Sequence, residues 1–290
     1  MKQKMKRWWL AASLGAVAMT LQAVEPQRMR FHCERDTAEV NELLQAGRAS
    51  GLKSGNELVT FYAHKLLGRP YVAHTLEGEQ EMLTINVDEL DCTTLVETLY
   101  ALSRATLEGR YSWRDYAHHL EDVRYRHGTM SDYASRLHYM SDWLMENRTR
   151  GNVVEVTSDV DGVRYKVKTI NFMSQHRDKY PSLADSIQFS RVKQVEVGYV
   201  NHRFPYLRKE SLSKKKVAAE LRSGDMVGLV TTVEGLDISH LGIIEKDAGG
   251  VLHLLHASSV GGKVMLEETP LSEMLRQRKS VIGVRVWRLK

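Results

Sequence analysis

Cysteine is scarce in this chain of 290 residues: only Cys33 and Cys92 occur, far apart. That excludes a disulfide-dense scaffold and a zinc knuckle, both of which need several cysteines at short spacing. No His-Glu-x-x-His motif offers another metal frame. Proline is sparse too, with five residues. Repeats, low-complexity tracts and Pro/Ser-rich linkers are missing, so nothing divides the chain into modules. Long apolar runs are also wanting. The uncharged stretch 8–21 is shorter than the ~20 residues of a membrane span. It follows Lys2, Lys4, Lys6 and Arg7 and precedes polar chain, which is the layout of a signal peptide. The expected organisation is therefore a signal peptide over 1–23 and one catalytic domain over 24–290, exported and periplasmic. No cysteine at the boundary offers a lipid site, and no stable membrane anchor is expected after cleavage.

An excess of one charge is lacking as well. The chain has 41 Lys and Arg against 36 Asp and Glu, a net +5. The leader holds four of the basic residues, which leaves 37 against 36, or +1. Lys214-Lys215-Lys216 is the one dense basic run remaining, and it reads as a solvated loop. Nucleic acid is not an expected partner.

What is present is a change of pattern along the chain. Apolar residues at three- and four-residue intervals predict helices over 34–48, 56–67, 92–109, 113–125 and 133–147. The second ends at Gly68, with Pro70 beyond it. A short strand is expected over 83–87, and a hairpin over 151–170 turns at Asp161-Gly162. Residues 171–207 read as irregular. From Gly224 onward, five short β-rich runs at 226–231, 240–245, 251–257, 263–267 and 281–288 predict an antiparallel meander. Helices first and a small C-terminal antiparallel sheet last is an α+β layout, with a helical and irregular elaboration around 111–223.

Cys92 follows Asp91, a good N-cap type, and opens the helix carrying Leu95, Leu99 and Leu102. A thiol there meets the positive end of the helix dipole, which favours the thiolate. The position equally suits a small apolar side chain in a core. Two histidines tip the balance. His240 begins one β-run and His256 ends the next, so an antiparallel turn brings them together, while His253 points to the opposite face. Cysteine, base and orienting group form the set that activates a thiol for acyl transfer. Backbone N–H groups at the helix start face a developing oxyanion. A Cys33–Cys92 disulfide is the competing use of the thiol. On the helix over 133–147, Arg136, Tyr139 and Trp143 share a face, as a satisfied polar surface or a ligand-facing one.

These residues resemble a known family. Gly68-Arg-Pro-Tyr71, Asp91-Cys92, Gly224-Asp225, Ser239-His240-Leu-Gly-Ile and His256-Ala-Ser are similar to the NlpC-type branch of papain-like cell-wall cysteine peptidases. Within it, Leu90-Asp-Cys-Thr-Thr-Leu-Val-Glu97, Arg136-Leu-His-Tyr-Met-Ser-Asp-Trp143, Gly235-Leu-Asp-Ile-Ser-His240 and Leu255-His-Ala-Ser-Ser259 resemble the N-acetylmuramoyl-L-alanine amidase-like family. The resemblance implies a papain-like fold with Cys92 as nucleophile, His240 as base and acid, and His256 as orienting residue. It implies Tyr71 beside the oxyanion. Arg136, Tyr139, Asp237 and Ser239 are the candidate substrate contacts, with Arg136 suited to a peptide carboxylate. Thr93-Thr94 departs from the Ser-Gly usual after the cysteine, and the segment 72–90 is longer than usual. The implied substrates are peptidoglycan fragments (muropeptides), with no cofactor. A D-glutamyl endopeptidase, a metal enzyme built on Asp91, Cys92, His240 and His256, and an inactive glycan-binding module are the alternatives.

Overall fold

The computed structural model describes residues 28–290. The expected signal peptide lies outside the described residues. In chain order the helices and strands are β1 (Met29–Phe31), α1 (Asp36–Ser50), α2 (Gly55–Lys65), β2 (Leu83–Ile85), α3 (Cys92–Leu107), α4 (Trp113–Arg124) and α5 (Met140–Thr149). Then come β3 (Val153–Glu155), β4 (Arg164–Lys168), α6 (Phe172–Gln175), α7 (Ser186–Val197), β5 (His202–Arg208) and α8 (Lys215–Glu220). The C-terminal part holds β6 (Met226–Thr231), β7 (Ile238–Lys246), β8 (Leu252–Ser258), β9 (Lys263–Leu266), α9 (Leu271–Gln277) and β10 (Val281–Leu289).

The sheet is larger than the meander expected from the last 70 residues. It has eight strands in the order β4-β5-β10-β6-β7-β8-β9, with β3 also pairing β10, and all its pairs are antiparallel. The expected 151–170 hairpin does not form. β3 pairs β10 and β4 pairs β5, so the two runs are strands joined to other partners. The stretch 171–207 is ordered instead into α6, α7 and β5. β5 tolerates Pro205 because the missing N–H is a loss of only one ladder bond. The helix expected over 133–147 is shorter: a 3₁₀ turn over Tyr133–Ser135 and an extended Arg136 precede α5. The lysine run opens α8.

α3 is the axis of the helical layer. Its residues Leu95, Leu99, Tyr100, Leu102 and Ala105 are fully buried. It packs on α4, α2 and α1 on one side and on β7 and β8 on the other. Burial all round explains why its sequence is apolar on more than one face. Each of the three leucines contributes roughly 1.5–3 kcal/mol by leaving water. The buried Glu97 carboxylate accepts from Arg124 on α4 at 2.7 Å, so this polar pair is satisfied inside the helical core. A second apolar layer, including Leu254, Ile244, Leu271 and Leu275, covers the opposite sheet face under α9. A third cluster around Tyr139, Ile170, Leu183 and Val192 holds the elaboration together.

Candidate active site

The first turn of α3 is fixed by its cap. Asp91 Oδ1 accepts from the Thr93 and Thr94 N–H groups at 3.0 and 2.8 Å, and Thr94 Oγ1 accepts from the Asp91 N–H at 2.9 Å. This reciprocal capping box sets where the helix begins, and so where Cys92 sits. Thr94, part of the departure from Ser-Gly, completes that box. The cap also divides the donors. The Thr93 and Thr94 N–H groups are engaged by Asp91, which leaves the Cys92 N–H as the first-turn donor for an oxyanion.

The Leu241 backbone, the Thr93 side chain and the cysteine's own N–H each favour the Cys92 thiolate. Leu241 is the residue after His240. The ladder between β7 and β8 covers only 243–246 and 252–255. Beyond it the strands part, and the start of α3 approaches there. The residue keeps some solvent access while its sulfur lies deep among protein atoms. Burial therefore pushes the thiol up to about 12, and the Asp91 charge adds to the rise. The helix start favours a thiolate, as the sequence predicts, but burial outweighs it. Cys92 thus rests as a neutral thiol, a form that needs a base before it can attack.

His240 is presented by a bulge. Along β7, Ile238 pairs Val230 and His240 pairs Leu229, so Ser239 is the extra residue against β6. Such bulges re-aim side chains. His240 Nε2 lies 2.5 Å from His256 Nδ1, with the rings nearly perpendicular at 89°. His256 is 1% exposed, and its Nε2 lies 2.8 Å from Glu267 Oε1 at the end of β9. Burial holds His240 down at about 3, with His256 and the Arg278 charge acting in the same direction. Burial also lowers His256, against the opposing pull of Glu267. Among the described residues the thiol makes no hydrogen bond to the His240 ring, a spacing common in unliganded sites.

Tyr71 reaches the site from the other side. Its N–H donates to the Gly262 carbonyl at 2.9 Å, and it bridges Leu90, which immediately precedes Asp91. Burial raises its hydroxyl, and the charges of Cys92 and Asp91 act in the same direction. The long 72–90 segment lines a cavity of about 380 Å³ with Val72, Ala73, His74, Asn86 and Glu89, closed on its other side by Arg30, Phe31 and His32. The larger cavity, about 970 Å³, is walled by Glu77, Glu81, Asp132 and Tyr133 and includes none of Tyr71, Cys92, His240 or His256.

The expected substrate contacts fare differently. Arg136 is buried, donates to Glu77 at 2.9 Å, lies 3.4 Å from Glu81 and stacks over Tyr133. Its guanidinium already has two carboxylates. The Tyr139 hydroxyl is buried, donates to Glu196 at 2.8 Å and accepts from the Met173 N–H at 2.7 Å. Asp237 is 1% exposed, and its Oδ2 accepts from the Ser141 N–H at 2.5 Å, capping α5. Arg136 ties the elaboration to the 72–90 segment, Tyr139 bonds within the elaboration and Asp237 links it to the start of β7, and none has a partner in the Cys92, His240 and His256 set. Ser239 is exposed and donates to Leu229 O at 3.4 Å, consistent with a role in the bulge. Both cysteines are free. Cys33 faces Asp36 and Asp88, so no disulfide competes for Cys92. Among the described residues, the one group with metal-ligand closeness is Cys33, Asp36 and Asp88, not the Asp91, Cys92, His240 and His256 set.

The chain resembles several known proteins. A family model described as N-acetylmuramoyl-L-alanine amidase-like matches residues 62–284. A structure of an N-acetylmuramoyl-L-alanine amidase from Bacteroides uniformis is 35% identical, with a TM-score of 0.77, covering 81% of this chain and 99% of its own. A Bacteroides fragilis structure described as a xylanase candidate is 37% identical, with a TM-score of 0.73, covering 78% and 99%. A Legionella pneumophila structure at 21% identity and a TM-score of 0.66, covering 88% and 97%, shares the fold. No curated protein matches the chain.

Proposed function

The chain belongs to the N-acetylmuramoyl-L-alanine amidase-like family, and from that membership we propose that it is a cysteine amidase. It cleaves the amide between the muramic acid lactyl group and L-alanine in peptidoglycan fragments, with anhydro-muropeptides as the preferred form. The fold is read as the NlpC-type variant of the papain-like fold, and the enzyme as exported to a periplasm where lytic transglycosylases release such fragments. The observation that carries the reading is the hydrogen-bonded His240–His256 pair, beside a thiol-bearing helix start with Tyr71 opposite.

In the proposed reaction the Cys92 thiol gives its proton to His240 as sulfur attacks the lactyl carbonyl. The oxyanion forms against the Cys92 N–H and the Tyr71 hydroxyl. His240 then passes the proton to the L-alanine nitrogen, the C–N bond breaks, and a muramoyl thioester remains. Water, deprotonated by His240, attacks the thioester. The acid departs, and the sulfur recovers its proton. Starting from a neutral pair, the charge develops only as the carbonyl is attacked.

Mass spectrometry of the products from one defined anhydro-muropeptide tests this directly. Free anhydro-disaccharide and an intact stem peptide are expected. A truncated stem still attached to sugar is the outcome of the alternative, an endopeptidase cutting after D-glutamate. A xylanase activity would need two carboxylates flanking a glycosidic bond. Here the carboxylate nearest the histidines, Glu267, is engaged by His256. No reducing sugar is expected from xylan.

A further inference from the structure

The His256 ring has two neighbours of different character. On one side Nδ1 meets His240 Nε2, and on the other Nε2 meets the Glu267 carboxylate. We propose that Glu267 is a positioning residue that fixes the tautomers of both histidines in series and thereby makes His240 Nδ1 the base. The inference rests on the amidase reading for its substrate, but its chemistry concerns the thiol alone.

A carboxylate offers only acceptors, so His256 must carry its proton on Nε2 to bond Glu267. Neutral His256 then has a lone pair on Nδ1, which accepts from His240 Nε2–H. His240 is left with its lone pair on Nδ1, the nitrogen free to take the Cys92 proton. Glu267 is itself tightly placed. Its N–H donates to the Leu254 carbonyl at 2.9 Å, and its own carbonyl lies 3.0 Å from His253 Nδ1. The backbone thus holds the carboxylate against a ring that is 1% exposed. The charged and titratable groups facing the pair are Glu267 from β9 and Arg278 after α9, with the Cys92 side of α3 beyond His240. Arg278 disfavours a proton on either ring, and Glu267 supplies the opposing charge when His240 becomes cationic in the reaction.

Removing the acceptor reverses the logic. Without Glu267, His256 is free to move its proton to Nδ1, which then requires His240 Nε2 to accept. His240 would present an N–H to the thiol, and an N–H is no base. The test uses the full mature chain with Glu267→Ala and Glu267→Gln. Iodoacetamide alkylation of Cys92, read peptide by peptide so that Cys33 is counted separately, needs no substrate. Glu267→Ala is expected to slow alkylation and kcat roughly 10- to 100-fold with KM unchanged, as for loss of the partner that orients a metal-bound histidine. Glu267→Gln, whose amide oxygen still accepts from Nε2–H, is expected to recover most of the loss. A wild-type alkylation rate between pH 6 and 8 in Glu267→Ala would overturn the proposal. Should that variant fail to fold, long-range ¹⁵N–¹H spectra of the wild-type histidines decide. Both His240 and His256 are expected as Nε2–H tautomers, and His240 as Nδ1–H contradicts the proposal. Glu267-dependent alkylation without muropeptide cleavage would instead leave this inference standing and reject the amidase reading.

Discussion

Two parts of the molecule concentrate polar and aromatic side chains, and they do so to different ends. In the 111–223 elaboration, the polar groups form closed sets: Arg136 with Glu77 and Glu81, Tyr139 with Glu196, and Arg126 with Asp142. Arg136 and Arg126 meet carboxylates there, and Glu196 accepts from the Tyr139 hydroxyl. At the sheet end, Glu267, His256 and His240 form a line with one closed end and, at the other, a His240 Nδ1 without a hydrogen bond among the described residues. The difference teaches how to tell structure from chemistry. A closed network stabilises, whereas a line with an unsatisfied terminus beside a nucleophile transfers protons.

Breaking the open line should have the largest effect. Cys92→Ala should lower muropeptide turnover by about 10⁴-fold or more, as loss of a nucleophile does in triad enzymes, with circular dichroism and melting unchanged. Turnover near wild type would remove the thiol from the mechanism. His240→Ala should be nearly as severe, and His256→Ala less so, because it orients rather than carries the proton. Tyr71→Phe should cost roughly 10²-fold in kcat, the cost of losing one oxyanion donor. An unchanged kcat would leave the Cys92 N–H as the sole donor.

Breaking a closed set should act on stability instead. Arg136→Ala strands Glu81, whose side chain is 5% exposed, and should cost about 3–5 kcal/mol in chemical denaturation while KM stays near wild type. A raised KM with full stability would return Arg136 to the substrate.

On activity, the smallest effect expected is on pH dependence, whereas stability should respond to acid. Burial lowers His138 to about 3, helped by the Arg136 charge, and lowers His119 to about 4. His240 is likewise held at about 3. Each binds fewer protons in the folded state than in the unfolded chain, where the value is 6.5. Stability therefore rises with pH between those values and is lost as pH falls below 6.5. Melting temperature should drop from pH 7 to pH 4, and His138→Asn should flatten that slope. An unchanged slope would assign the acid sensitivity elsewhere. Since His240 stays neutral above about 4, kcat/KM should not fall between pH 8 and pH 5 from loss of the base.

The helices around the site were readable because their apolar spacing and caps are local; α3 begins at Cys92 where Asp91 predicts it. The β7–β8 hairpin and the meeting of its histidines were readable for the same reason. Long-range pairing was not. β3 against β10 joins residues about 130 positions apart, and nothing local in Val153-Val154-Glu155 announces that partner. The shared helical face expected for Arg136, Tyr139 and Trp143 does not form, because Arg136 is extended and α5 begins only after Tyr139. Glu267 carried a signal that went unread. The expected 263–267 strand pairs Met265 with His256, which puts Glu267 on the same face, one step along.

The central claim, that Cys92 is acylated by the muramoyl group, is tested most directly by acid-quenching the enzyme with an anhydro-disaccharide–peptide and weighing it intact. The account predicts a thioester on Cys92 carrying the disaccharide acyl group without amino acids. A heavier adduct retaining L-alanine and D-glutamate, or an adduct that persists in Cys92→Ala, would contradict it.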